Sequence, residues 1–209
     1  MQTVSSRKKP SMRELNQLST RRAIADAAIQ LGMHNGGLES IRTTDIAEAA
    51  GVSPRTFNNY FANKYEAVTY RYVERMQFAA DVLRDRPRDE PLWDAIRAAV
   101  REPWLRSAEN ADGPSPATMA ELRLLFGHGA IQSQIMREAL AENSEFARAV
   151  AERTGMEAGA LYARSVAAAV AAVTETAIAI FLRSEAPGPF LPLITEALDL
   201  LASGFATPS

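Results

Sequence analysis

The sequence predicts an all-α fold. Apolar residues recur at three- and four-residue spacing along most of the chain, as buried helix faces require. No run of alternating β-branched residues bounded by turn signals occurs. Glycine and proline fall where helices should be capped or broken. With 209 residues, 47% hydrophobic and 23% charged, the chain has room for a core and the composition of a soluble protein of one or two domains. Cysteine is absent, which excludes a disulfide, a thiolate metal site and a cysteine nucleophile, and fits the cytoplasm.

Residues 1–18 read as a basic arm, either tracking DNA or simply a plain chain terminus. Before Ala23 stand Arg7, Lys8, Lys9, Arg13, Arg21 and Arg22, against Glu14 alone, although the whole chain carries a net charge of −2. Such asymmetry suggests a basic, DNA-facing end on a neutral-to-acidic body. A helix is expected from Thr20, with Ile24, Ala27, Ala28 and Leu31 on one face, ending near Gly32. A loop follows over Asn35-Gly36-Gly37, and Ile41 inserts into the core.

The segment from Thr44 to Phe61 reads as two short helices joined by a tight turn. Ile46, Ala49 and Ala50 share one face of the first, and Gly51 supplies the positive φ of the corner. Ser53 is a good N-cap, and Pro54 sits at the first helical position, where its missing N–H costs nothing. Phe57 and Phe61 anchor the second helix inward, leaving Arg55, Thr56, Asn58 and Asn59 outward. This is a helix-turn-helix with a polar second helix. An ordinary helical hairpin is the plain alternative. However, arginine beside two asparagines suits base edges better than it suits an idle helix surface.

Asn63 then caps a longer helix, with Glu66 three residues on, as in a variant capping box. It runs to about Arg84 with Val68, Tyr72, Met76, Ala79 and Leu83 inward, and Pro87 and Pro91 break the chain after it. Leu92 to about Ser107 is helical, with Pro103 expected to kink or end it. Glu109 to Pro116 is a loop. Thr118–Phe126, Ala130–Leu140 and Ser144–Arg153 are shorter helices. Gly155–Arg183 is a long alanine-rich one, stopped by Pro187-Gly188-Pro189, and Leu191–Phe205 is the last. The apolar run Val166–Leu182 falls short of a membrane span, because it is mostly alanine and carries Glu175. A basic terminus with no apolar run behind it is no signal peptide.

Enzyme chemistry finds little support. His34 and His128 lack a ligand pattern for a metal. No nucleophile elbow, phosphate loop or dinucleotide fingerprint occurs. His128 reads as a polar group at a helix break, or else as a contact in a ligand pocket. No cofactor is implied.

A basic arm, a helix, a helix-turn-helix ending in Tyr60-Phe61, a lysine opening the fourth helix and a long helical body together resemble the TetR family of bacterial transcriptional regulators. The match is carried by Asp45-Ile46-Ala47-Glu48-Ala49-Ala50-Gly51-Val52-Ser53, Thr56-Phe57, Tyr60-Phe61 and Asn63-Lys64. By motif it covers roughly residues 19–70. It implies a homodimer that binds a palindromic double-stranded DNA operator and is released by a small apolar effector. The stretch Ser53 to Phe61 resembles an actinobacterial branch associated with acyl-CoA-like ligands, although no basic cluster awaits a CoA phosphate. The resemblance divides the chain into a flexible basic arm (1–18), a helix-turn-helix domain (19–66) and an effector-binding and dimerisation domain (67–209). The alternatives are a DNA-binding regulator with no effector, and a helical protein that does not bind DNA.

On that resemblance Arg55, Asn58, Asn59 and Thr44 face the major groove. Arg42, Thr43, Thr56, Tyr60 and Lys64 meet phosphates, as do Arg21 and Arg22. For Tyr60 the other reading is core packing through its ring. Family members usually carry threonine where Arg42 stands, so the cap is expected at Thr43 or Thr44, with Arg42 on a phosphate. An aromatic is usual where this chain has Asn58, which bears on operator specificity. Met76, Trp93, Trp104, Leu122, Phe126, Met136, Tyr162 and Val166 are the candidates for a ligand pocket, each with core packing as its alternative. Ala160, Ala163, Ala167, Ala171 and Ala179 are small enough for close helix approach. They offer a dimer face that with the last helix would build a four-helix bundle, or else the centre of the monomer core.

Overall fold

The computed structural model describes residues 11–105, 113–127, 129–142, 144–157, 159–185 and 188–204. Arg7, Lys8, Lys9, Ser107, His128, Pro187, Phe205 and the first half of the Glu109–Pro116 loop lie outside them. The described residues form ten α-helices and one 3-10 turn. These are α1 (Met12–His34), the turn Leu38–Ser40, α2 (Thr43–Ala49), α3 (Pro54–Tyr60), α4 (Lys64–Asp85), α5 (Leu92–Leu105), α6 (Pro116–Phe126), α7 (Gly129–Leu140), α8 (Glu145–Thr154), α9 (Leu161–Arg183) and α10 (Phe190–Ala202).

Two boundaries differ from the sequence reading for local reasons. Helix α1 starts at Met12 rather than Thr20, so residues 12–18 belong to the helix and not to a flexible arm. Ser11 and Glu14 form a reciprocal capping box there: the Glu14 carboxylate accepts from the Ser11 N–H at 2.7 Å, and the Ser11 hydroxyl accepts from the Glu14 N–H at 3.3 Å. Helix α9 starts at Leu161 rather than Gly155, because Gly155, at φ 69°, ends α8 in the left-handed conformation. Pro103 does not stop α5. It lies in the last turn, where it costs a single backbone hydrogen bond.

Two apolar cores organise the helices. The first joins Ile24 and Ala28 of α1, Ile46 of α2, Phe57 and the N-terminal half of α4 to Leu125, Ile131 and Ile135 from α6 and α7. A division at residue 66 therefore cuts through a packed unit. Its tightest point is Gly32 of α1, where a Cβ would lie 2.6 Å from Leu125 Cδ1. The second core takes the C-terminal half of α4 with α5, α8, α9 and α10. Arg84 ties α4 to α8 through Glu145 at 3.0 Å and Glu152 at 2.8 Å. Met76 packs against both cores.

Helix α9 is long and apolar enough to cross a membrane, with a mean hydropathy of 2.0 in its most apolar stretch, so the sequence reading was too strict on composition. In the fold, 44% of that stretch is buried, and α9 packs between α7, α8 and α10. The alanine face takes the second of its two readings, the centre of the monomer core. Ala163, Ala167 and Ala171 are at most 3% exposed within the single chain, and Ala160 is the residue that caps α9. The face α9 leaves open carries Ser165, Ala172, Thr176 and Ile180 instead.

Candidate nucleic-acid interface and effector cavity

Local chemistry builds the helix-turn-helix. The Asp45 carboxylate reaches back to accept the Arg42 N–H at 2.8 Å, so the cap of α2 stays at Arg42 and does not shift to Thr43 or Thr44. Gly51 takes φ 67° in the turn. The Ser53 hydroxyl accepts the Thr56 N–H at 3.0 Å and lies 2.8 Å from the Thr56 hydroxyl. Beneath α3, Phe57 and Phe61 pack with ring centroids 6.1 Å apart and are almost wholly buried. That anchorage leaves Arg55, Asn58 and Asn59 exposed along one helix. None of the three is committed to a hydrogen bond or ion pair among the described residues. An exposed guanidinium and two amides, held on a rigid helix, can read guanine and adenine edges.

The cations around this helix divide into tethered and open. The Arg21 guanidinium lies 5.2 Å from the Phe61 ring centroid and 5.1 Å from that of Tyr70, and donates to the Tyr60 carbonyl at 3.1 Å. It works as a strut between α1, α3 and α4. Arg22 pairs with Glu74 at 2.5 Å. Both were expected on phosphates, and both are occupied inside the domain. The Lys64 ammonium donates to the carbonyls of Leu38 at 2.7 Å and Ile41 at 3.2 Å, leaving one N–H to offer. Arg42 and Thr44 are exposed at the start of α2, while Thr43 and Tyr60 are half-buried.

A cavity of about 100 Å³ opens between α4, α7, α8 and α9. Tyr72 and Met76 line it from α4, Glu138 from α7, Phe146 from α8 and Ala167 from α9. Tyr72 is 9% exposed. Burial, with the Glu175 charge adding to it, holds its hydroxyl above the usual phenol range.

Residues 22–68 match the family model of bacterial regulatory proteins of the tetR family, and residues 90–206 match that of the MftR C-terminal domain. The chain belongs to the TetR family. It is a DNA-binding transcriptional regulator, as the exposed face of α3 fits. Its fold is also similar to the crystal structure of Thermus thermophilus FadR, a TetR family transcriptional repressor in complex with lauroyl-CoA. That likeness has a TM-score of 0.50 and 17% sequence identity, and covers 90% of this chain and 96% of the other. Among curated proteins no sequence match was found.

Within this TetR-family regulator the pocket candidates scatter. Met76 lines the cavity. Trp104 packs against Phe190 with centroids 4.6 Å apart and the rings inclined at 57°, under the Arg75 guanidinium, and Trp93 packs on the second core. Phe126 packs on the first core, and Val166 lies within the second. Leu122 and Met136 are half-buried, while Tyr162 is 43% exposed. Sequence reasoning missed Tyr72, Glu138 and Phe146 as lining residues. The inward stripe of α4 did hold Tyr72, but where α7 and α8 meet that stripe is a tertiary matter.

Proposed function

We propose that this regulator is a cytoplasmic homodimeric repressor that binds a palindromic operator and lets go of it when a small, mainly apolar effector enters the α4–α7–α8–α9 cavity. The observation that carries the reading is Met76. One side chain on α4 touches the cavity, the core beneath the recognition helix and the core of the body. A ligand pressing there shifts α4 and α7, and both helices contribute to the core that holds α3. Arg55, Asn58, Asn59 and Thr44 read bases, and Arg42 and Thr43 meet phosphates. Thr56, Tyr60 and Lys64 have side roles, each tied partly into the fold. The lauroyl-CoA complex of the FadR relative supports a ligand within this architecture. The open face of α9, with Ser165, Ala172, Thr176 and Ile180, fits pairing with a second copy, α10 completing a four-helix bundle. Recognition helices about 34–36 Å apart would then meet successive major grooves.

The effector need only prefer one state. A differential of about 3 kcal/mol between the DNA-matched and unmatched dimers lowers operator occupancy substantially. The test is a gel shift on the chain's own upstream region, repeated across a panel of fatty acids, acyl-CoAs and apolar drugs. Loss of the shifted band with one class supports a ligand-released repressor. A band that persists through every class points to a regulator without an effector, and no band at all removes the operator reading.

A further inference from the structure

Near its end, α6 meets three other elements with three consecutive residues. Arg123, half-buried, reaches the far end of α9: its Nε donates to the Leu182 carbonyl and its Nη2 to the Ser184 carbonyl, each at 2.6 Å. The backbone of Leu124 runs close to the turn after α1, where a Cβ at Gly37 would lie 3.2 Å from the Leu124 carbonyl oxygen. Leu125 is fully buried against Gly32 of α1. The carbonyls that Arg123 takes are of the kind a helix end leaves without partners, and the guanidinium charge suits the negative end of α9. Helix α6 as a whole packs on α1 and on α9. Helix α4 also joins the DNA-reading part to the body, but there it packs chiefly on α5, α7 and α8, and it is α7 and α8 that lie against α9.

We propose that Arg123 is a positioning residue for operator recognition. By clasping the end of α9 it fixes where α1, and with it α2 and α3, stand relative to the helix on which two copies pair. It thereby sets the half-site spacing that the dimer accepts. The assignment rests on the homodimer reading above and names the contact that holds its geometry. Arg123 governs spacing and not the reading of bases, because Arg55, Asn58 and Asn59 keep their places on α3 through the caps and rings beneath that helix. One base pair added at the centre of an operator moves a half-site about 3.4 Å along the duplex and turns it by about 34–36°. A dimer with clamped reading domains rejects that change, and one with loosened domains tolerates it.

The probe is the palindrome that the full-length wild-type protein selects from random duplex DNA. It is compared with versions carrying one base pair more or fewer at the centre and with a duplex holding a single half-site. Fluorescence anisotropy gives the affinity for each. Arg123→Met removes both donors and keeps the stem of the side chain. It should shrink the wild-type preference for the selected spacing by about fivefold or more and leave affinity for the single half-site unchanged. Arg123→Lys, which keeps the charge and a donor, should restore part of the preference. Circular dichroism and light scattering show whether each variant is a folded dimer, and Arg123→Gln decides if Arg123→Met is not. A folded, dimeric variant with the wild-type spacing preference would overturn the proposal while keeping the homodimer. An equal loss on every duplex, the single half-site included, would also overturn it and make Arg123 a support of the fold alone. A wild-type protein that is monomeric, or that shows no preference among the spacings, defeats the homodimer reading and the proposal together.

Discussion

Replacing Glu175 by glutamine should stabilise the protein at pH 8 and change little at pH 5. The carboxyl titrates at 4.5 when exposed and at about 7 in the fold, with burial as the cause. Between those values the folded chain keeps a proton that the unfolded chain has lost. Stability therefore falls as pH rises through that window, and above 7 the whole penalty is in place. A rise of this size corresponds to about 3 kcal/mol if the site were sealed. Glu175 is only half-buried, and water on its open side brings the expectation to about 1–2 kcal/mol. Glutamine has nearly the same shape and never ionises, so it removes the penalty without opening a hole. Urea unfolding at pH 5 and pH 8, at one protein concentration to hold any dimer equilibrium constant, reads the difference directly. An equal gain at both pH values, or a loss at pH 8, would refute the claim that Glu175 is ionised at a cost.

Three further outcomes are expected. Arg55→Ala should weaken operator binding by about 1–3 kcal/mol and relax specificity at one base pair of each half-site; a gel-shift series on operator variants checks this, and an equal loss on every sequence would mean Arg55 reads no base. Lys64→Met should destabilise the protein by about 1–3 kcal/mol, because two carbonyls lose a charged donor, and should leave the salt dependence of DNA affinity nearly unchanged. A salt slope lower by about one would instead put Lys64 on a phosphate. Thr176→Arg, on the open face of α9, should yield a folded monomer in light scattering, whereas Ala171→Arg, at a site 1% exposed, should unfold the body by burying an unpaired charge.

What the sequence made legible was what neighbouring residues decide. Ser53, Pro54 and Gly51 set the turn and the start of α3 with their own backbone preferences, and Phe57 and Phe61 fixed its rotation. The capping box Ser11–Glu14 was equally local, but a run of basic residues drew the reading toward a free arm. Long cations were the least legible. Arg21, Arg22 and Lys64 look like phosphate ligands from spacing. Their partners are three rings, a carboxylate and three carbonyls, and all but the Tyr65 ring beside Lys64 lie more than twenty residues away. The alanine stripe of α9 was legible as a packing surface. Which helix it packs against depends on α10, α8 and α7, whose arrangement no local pattern carries.

The interleaving of the first core has a consequence for how such regulators can be recombined. Leu125, Ile131 and Ile135 come from far down the chain yet fill the space under the recognition helix, and a Cβ at Gly32 would push Leu125 aside. A hybrid spliced at residue 66 would hand the DNA-reading half a foreign set of these plugs. A graft of another operator specificity onto this protein would therefore keep its packing by carrying α6 and α7 along with α1–α3, or by point changes on the exposed side of α3. The reading head is not a cassette: the packed unit beneath it is a discontinuous piece of chain.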